Sequence, residues 1–350
     1  MNVHVGEILL VTMAQIAQSL GVSVQTVSAV VNAKPGISTD TQRRVQEAIA
    51  RLNYQPNQQA RSLRGVRMKT LGVIIPSITN PYFPEFVKGI EDEARSNGYS
   101  ILLCNTDEEL GHLLEYFSLI STNKVSGIIC ALAIAGDWLA DPEVERRIRK
   151  FAADGVSVVL SDSTDRDLPL SSVVVDSTAA IDAAARHLVA LGHRRVGLIS
   201  PPRGLAVSTE RINAFSRAFA GAGYPLDDEL VVPGDFEIEG GARATRQLMS
   251  MPEPPTAIIA ANDVAAFGAI SELSKLGVSV PHDVSVLGFD DIAFARVYQP
   301  ALTTIAQPIY ALGQESFKLA IAEPVSREGR GPNVKLEAQF MPRSSTAKAR

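Results

Sequence analysis

The spacing of apolar positions changes near residue 70, and the change divides the chain. Before it the spacing is helical. In MAQIAQSL, Ile16, Ala17 and Leu20 form one stripe, and Thr12 followed by Gln15 is a capping-box pattern. After the break at Leu20-Gly21-Val22, Ser23 can cap a second helix whose Val27, Val30 and Val31 point back at the first. Ser38 opens a third helix, Thr39 to about Leu52, with Val45, Ala48, Ile49 and Leu52 on one face. Three helices in about 45 residues close a core that is marginal alone.

From Thr70 short apolar runs alternate with helical stretches. The runs are Leu71–Ile75, Ile101–Cys104, Gly127–Cys130 and Val156–Leu160, then Val173–Val175, Val196–Ile199, Leu230–Val232, Ala257–Ala260 and Val284–Gly288. This alternation predicts parallel sheets covered on both faces, in two series, the second opening at Val173. The fold class is α/β: a three-helix head and a two-lobed body of doubly wound sheets. In such a body ligands sit outside the strand C-termini, in the cleft between lobes.

The outward residues of the second helix are small or hydrogen-bonding: Val24, Gln25, Thr26, Ser28 and Ala29. A helix lying in a DNA major groove needs short side chains and an amide able to pair with a base edge. The stretch NYQPNQQARSLRGVRMKT, Asn53 to Thr70, is basic and has only Ala60 and Leu63 as an apolar face. It predicts a segment that folds on binding, with Leu63 as an apolar wedge between Arg61 and Arg64, the side-chain set used to kink a minor groove.

Charge sharpens this picture. Residues 1–69 hold eight Lys/Arg and three acids, a net of +5, which leaves −10 on the other 281 residues of a chain whose total is −5. A basic head on an acidic body suits docking on phosphate. No apolar run approaches the roughly 20 residues of a bilayer span, and the opening MNVHVGEILL has no export pattern, so a cytoplasmic protein is expected. Cys104 and Cys130 sit in apolar strand-like runs and predict buried free thiols; no metal site or cofactor is expected.

Polar and aromatic residues at the strand ends are the candidate cleft site: Ser77, Asn80, Tyr82 and Phe83; Asp162; the segment from Arg203 to Arg211; Phe236; Asn262; and Asp290. Planar side chains pair with vicinal hydroxyls while rings cover the C–H face of a sugar. Asp263 and Asp291 are expected to stabilise caps or loops instead. The chain has no nucleophile–base pair, HExxH, P-loop or GxGxxG, and its five His are scattered. The cleft therefore predicts binding without catalysis, in a protein that is not an enzyme.

Several motifs, in this order and spacing, resemble the lactose-repressor/galactose-repressor (LacI/GalR) family of bacterial transcription regulators. They include VSVQTVSAVVN (Val22–Asn32), LNYQPN (Leu52–Asn57), ARSLRG (Ala60–Gly65), NPYF (Asn80–Phe83), LGHRRVGLIS (Leu191–Ser200), AANDVAAFGA (Ala260–Ala269), GFDD (Gly288–Asp291), PALTTIAQP (Pro300–Pro308) and PRSST (Pro342–Thr346).

The resemblance implies a helix-turn-helix domain over 1–55, a hinge helix and linker over 56–69, and a periplasmic-binding-protein-like regulatory domain over 70–350. Its N-lobe would be about 70–172 with 307–333, and its C-lobe about 173–306 with 334–350. It puts Val24, Gln25 and Ala29 at the base-reading face. Thr12, Thr26, Ser28, Asn32, Ser38, Thr41, Tyr54 and Asn57 fall at or behind phosphate contacts. Leu63, with Ala60 on the same short face, would lever open the centre of a near-palindromic operator, which requires a homodimer. For the effector it implies Tyr82, Phe83, Asp162, Arg211, Phe236, Asn262, Asp290 and Gln307, with Ser77 added from the strand-end reading. Implied partners are operator DNA and a small molecule, sugar-like in most of the family; the bound regulator would sit on the nucleoid.

This chain departs from the family pattern at Ala29, where many members carry a larger polar or basic reader, and in the loop Ala131 to Asp141, which holds the only Trp. The C-terminus carries no leucine-heptad tail, which argues against tetramers built through one. The purine-like alternative rests on Phe236. A solute-binding protein of a transporter is opposed by the basic head.

Overall fold

The computed structural model describes residues 11–31, 34–52, 54, 69–131, 138–161, 168–201, 206–323 and 330–350. The chain divides into two compact units, Met1–Met68 and Lys69–Arg350.

The first unit contains α1 (Met13–Leu20), α2 (Val24–Val31) and α3 (Thr39–Arg51). Thr12 caps α1 in a complete capping box: its Oγ1 accepts from the Gln15 N–H at 3.3 Å, and Gln15 Oε1 accepts from the Thr12 N–H at 2.8 Å. Gly21 stops α1 in the left-handed region (φ 67), where a Cβ would be strained. Ser23 Oγ accepts from the Thr26 N–H at the start of α2, and Ser38 Oγ from the Thr41 N–H at the start of α3. Ile16, Ala17, Val27, Val45, Ala48 and the Tyr54 ring form the buried core, with Leu20, Val30, Val31, Ile49 and Leu52 packed around it.

The second unit has two parallel sheets. The first contains β1 (Thr70–Ile75), β2 (Ser100–Asn105), β3 (Gly127–Cys130), β4 (Ser157–Leu160), β5 (Ser171–Asp176) and β11 (Asn333–Glu337), in the order β11-β5-β4-β3-β1-β2. Alternation along β1 feeds both faces. Leu71, Val73 and Ile75 pack with α4 (Tyr82–Ser96) and α12 (Ile309–Ile321); Ile74 packs with α5 (Leu110–Thr122) and α6 (Pro142–Ala153). Cys104 and Cys130 are buried and both pair in register with Ile74, on opposite sides of it. Two strand spacings, about 9.6 Å, separate them, too far for a disulfide. Burial pushes the Cys104 thiol up to about 11 and Cys130 higher still.

The second sheet has the order β7-β6-β8-β9, from β6 (Val196–Ser200), β7 (Val231–Pro233), β8 (Ala257–Ile259) and β9 (Ser285–Leu287). Helices α7 (Thr178–Ala190) and α8 (Ala206–Gly221) cover one face; α9 (Ile238–Met249) and α10 (Asp263–Lys275) cover the other. A short helix α11 (Phe294–Val297) follows β9, and β10 (Thr304–Ala306) pairs antiparallel with β12 (Gln339–Met341).

The lobe boundary differs from the expected one. Val173–Val175 belong to β5, which completes the first sheet by pairing with β4 and β11. The second series opens only after Asp176, and the return crossing lies between β11 and β12 rather than at residue 333. A buried Val-rich strand reads the same in either lobe; its sheet is set by non-local pairing. The chain crosses between lobes three times: after Asp176, at Gln307-Pro308 and at Ala338, whose N–H donates to the Asp176 carbonyl at 3.0 Å.

Candidate functional site: an interlobe cleft and a DNA-reading face

A cavity of about 510 Å³ opens between the lobes. This is the size and place of a small-molecule site in a two-lobed α/β body. From the first lobe, Ser77, Asn80, Tyr82 and Phe83 line it at the end of β1 and the start of α4. Asn80 shapes that turn: its Oδ1 accepts from the Tyr82 N–H at 3.1 Å and its carbonyl from the Phe83 N–H. The Tyr82 and Phe83 rings meet edge to face, 5.1 Å between centroids.

The second lobe contributes Arg211 from α8, Phe236 after β7, Asn262 after β8, and Phe289 and Asp290 after β9; Gln307 comes from a crossing segment. The Arg211 guanidinium lies 3.7 Å from the Phe289 ring centroid and donates to the Ala261 carbonyl at 2.6 Å, so its plane is held before any ligand arrives. Asn262 caps α10: its Oδ1 accepts from the Ala265 N–H at 2.8 Å, while its Nδ2 donates to the Phe236 carbonyl. Asp290 is 6% exposed and sits at φ 118, beside Asp291 at φ 60. Burial pushes its carboxyl up to about 6, with Arg211 and the Gln307 hydrogen bond opposing.

Asp263 and Asp291 are loop stabilisers, as expected. Asp263 is fully buried; its Oδ2 accepts from the Ile292 N–H and its Oδ1 from the Thr304 hydroxyl at 2.6 Å. Burial and the neighbouring Asp290 hold its carboxyl well above the usual range. Asp291 pairs with Arg296 at 3.1 Å and Arg343 at 2.6 Å.

Eight of the nine proposed effector residues line this one cavity; the ninth, Asp162, lies outside the described residues. The cavity also brings in residues the strand-end reading missed. Glu108 follows β2 and Glu237 follows β7, and both line the cavity from opposite lobes. Burial raises the Glu108 carboxyl, and the like charges of Glu237 and Asp235 raise it further. Its place just beyond a strand end was legible; the facing carboxylate was not. Asn213 and Arg217 enter from α8 and Lys335 from β11, and a helix face and an edge strand carry no strand-end signature.

In the head, Val24 is 46% exposed and Gln25 is exposed, while Ser28 and Ala29 are half-buried on the same side of α2. Thr12 lies at the N-terminus of α1, and Ser38 and Thr41 lie at that of α3; a helix N-terminus suits phosphate. Thr26 is tied to Ser23 through their hydroxyls at 2.9 Å. Tyr54 is 7% exposed, its ring part of the core, a supporting position rather than an open one. Asn32, Asn57, Ala60 and Leu63 lie outside the described residues. Among the described residues, no three His, Cys, Asp or Glu form a group that could hold a metal, and no helix is long and apolar enough to cross a membrane.

Both halves of the chain match known families. Residues 12–57 match the model of the bacterial regulatory proteins, lacI family, and residues 68–343 that of the periplasmic binding proteins and sugar binding domain of LacI family. The HTH-type transcriptional regulator DegA of Bacillus subtilis is 32% identical over 336 residues, 96% of this chain and 98% of its own length. The HTH-type transcriptional repressor PurR of Photorhabdus laumondii is 31% identical, covering 95% of this chain and 96% of its own. Among solved structures, a lac repressor dimer bound to operator and the anti-inducer ONPF superposes with a TM-score of 0.83 at 27% identity, over 96% of this chain and 99% of that one. A LacI family regulator from Enterococcus faecium with bound ribose gives 0.68 at 30% identity, over 80% of this chain and 100% of that one. With head and body both matched, and relatives aligned over nearly their full length, the chain belongs to the LacI family of DNA-binding transcriptional regulators, which are not enzymes.

Proposed function

We propose that the protein is a repressor that binds a near-palindromic operator as a dimer and is switched by a small molecule in the interlobe cleft. One observation supports this most directly: Arg211, Asn262, Asp290 and Gln307 converge with the Tyr82, Phe83 and Phe236 rings on a single cavity. Planar hydrogen-bonding groups beside rings are a sugar-gripping set, so a sugar or sugar derivative is the favoured effector. Occupancy resets the lobes, and that change raises or lowers the affinity of the head for its operator. A coupling of about 1–3 kcal/mol, or 5–150-fold in operator affinity, suffices for regulation. The regulator works in the cytoplasm, on the chromosome.

A purine-type corepressor is the second reading. Phe236 favours it, because its ring lines the cavity and can stack on a flat heterocycle, and relatives carry the name PurR. A thermal-shift screen of sugars, sugar acids and purines separates the two, since ligand at 100 times Kd stabilises by about 2.7 kcal/mol. Operator binding by fluorescence anisotropy, with and without each hit, then gives the sign. A dimer that ignores duplex DNA with every ligand would overturn the reading. Leu63→Ala should weaken specific binding far more than non-specific binding; equal losses would remove the wedge.

A further inference from the structure

We infer that the reading helix α2 specifies A·T pairs in each operator half-site, through the adenine N6/N7 edge and the thymine methyl, and reads no guanine. The inference rests on the operator-binding reading above and names the bases that reading leaves open.

The packing of α2 determines which residues are available. Val27 is fully buried, and Val30 and Val31 pack on the head core. Thr26 is engaged with Ser23. The outward side therefore holds Val24 above Ser28 and Gln25 above Ala29, pairs four residues apart on one helix face. The sequence VQTVSAVV carries no charged residue.

Each outward side chain limits what can be read. Guanine presents two acceptors, O6 and N7, and is matched by the converging donors of Arg or Lys; α2 has neither. Cytosine presents an N4 donor and is matched by a carboxylate, also missing from α2. Gln25 has an exposed amide with no partner among the described residues. Its Oε1 can accept from adenine N6 while its Nε2 donates to N7. Ala29 offers only a methyl group. Val24, at 46% exposure, is the one large apolar side chain of the exposed class among the described head residues. An isopropyl group left in water gains nothing for the fold; against a thymine C5-methyl it gains apolar burial. Ser28 has an interaction of its own within the protein, and a hydroxyl discriminates little between bases.

The test uses the full-length wild-type protein and a randomised duplex pool. The enriched half-site should carry A·T pairs where α2 reads, and selection with Gln25→Ala should relax one adenine position. Replacing thymine by uracil in the enriched duplex should weaken binding about fourfold for each contacted methyl. Replacing the Gln25-dependent adenine by 7-deazaadenine, which removes one of the two hydrogen bonds, should cost about 2–12-fold. Gln25→Glu should move that position to cytosine, and Ala29→Arg should admit guanine at its own. The uracil replacement needs no protein variant, so a misfolded head cannot imitate its result. Guanine at the position relaxed by Gln25→Ala, or equal binding of uracil and thymine duplexes, would overturn the inference while leaving operator binding intact. A pool that enriches nothing above non-specific DNA would instead bring down the operator-binding reading, and this inference with it.

Discussion

Gln307 holds Asp290 at two points: its backbone N–H donates to the Asp290 carbonyl at 3.1 Å, and its Nε2 donates to Asp290 Oδ1 at 2.7 Å. The pair joins the floor of the cleft to the crossing segment that leads into α12. That helix is locked to α4, because the backbones approach at two glycines. A Cβ at Gly89 would lie 2.1 Å from the Tyr310 carbonyl oxygen, and one at Gly313 2.2 Å from that of Phe86. Tyr310 also donates to Asp92, and Gln314 to Glu93, both at 2.9 Å. A ligand that moves Asp290 thus pulls on a helix pair of the other lobe.

Effector binding should depend on pH through Asp290. Burial holds its carboxyl at about 6, so the ionised form that accepts ligand hydroxyls is lost below that value. Affinity measured by calorimetry should fall toward tenfold per pH unit below about 6, and Asp290→Asn should flatten the profile. The stability sign is the reverse. A carboxyl raised in the folded state favours folding below its unfolded value and loses that contribution as pH rises through about 6. Between pH 4 and 7 the ligand-free wild type should therefore lose up to about 3 kcal/mol relative to Asp290→Asn.

Arg211→Ala should abolish the effector response while leaving the operator affinity of the ligand-free protein within a few-fold of wild type. Arg211→Lys should not restore it, because an ammonium can neither stack flat on Phe289 nor present a planar fork. Operator titrations with and without effector check both variants, and an intact response in either would take Arg211 out of the site.

The C-terminal strap should loosen in acid. His193 Nε2 donates to the Ala347 carbonyl at 3.0 Å while its Nδ1 meets the Thr256 hydroxyl, and His187 Nε2 meets the Thr346 hydroxyl at 2.9 Å. Burial lowers both imidazoles below their ordinary value. Their contribution is complete above the unfolded value of about 6.5 and is lost as pH falls through the depressed folded values. His193→Gln should be less stable than wild type at pH 7.5, and that difference in Tm should shrink as pH falls to 5; taking the difference removes the opposite contribution of Asp290. Carboxypeptidase trimming that is no faster at pH 5 would refute the strap.

Gly241→Ala should be costly and Gly277→Ala mild. A Cβ at Gly241 would sit 2.1 Å from the Ala265 carbonyl oxygen, forcing α9 and α10 apart, whereas Gly277 (φ 73) faces open space and carries only backbone strain. The first should cost about 3 kcal/mol or more and the second about 1–2 kcal/mol, compared by urea unfolding.

Much of this was legible in local pattern. Thr12, Ser38 and the apolar stripes of α1 to α3 announce themselves, because caps and helix faces involve residues three or four apart. The strand ends gave Tyr82, Phe236 and Asp290 because βα turns deliver side chains to one edge of a parallel sheet. The pattern misassigned β5, and it gave no hint of β10, β12 or α12, whose roles depend on the crossings. Nor did it hint that Glu108 and Glu237 face each other, since they lie in different lobes.

The order of periodic segments was enough to determine an α/β body behind a helical head, and the residue types at the segment ends were enough to mark a binding cleft without catalytic groups. Which strand joins which sheet, how Gln307 reaches Asp290, and which carboxylates meet across the cleft were decided only when the chain folded. Those relationships join residues far apart in sequence, and long-range pairing energy leaves no trace in local spacing.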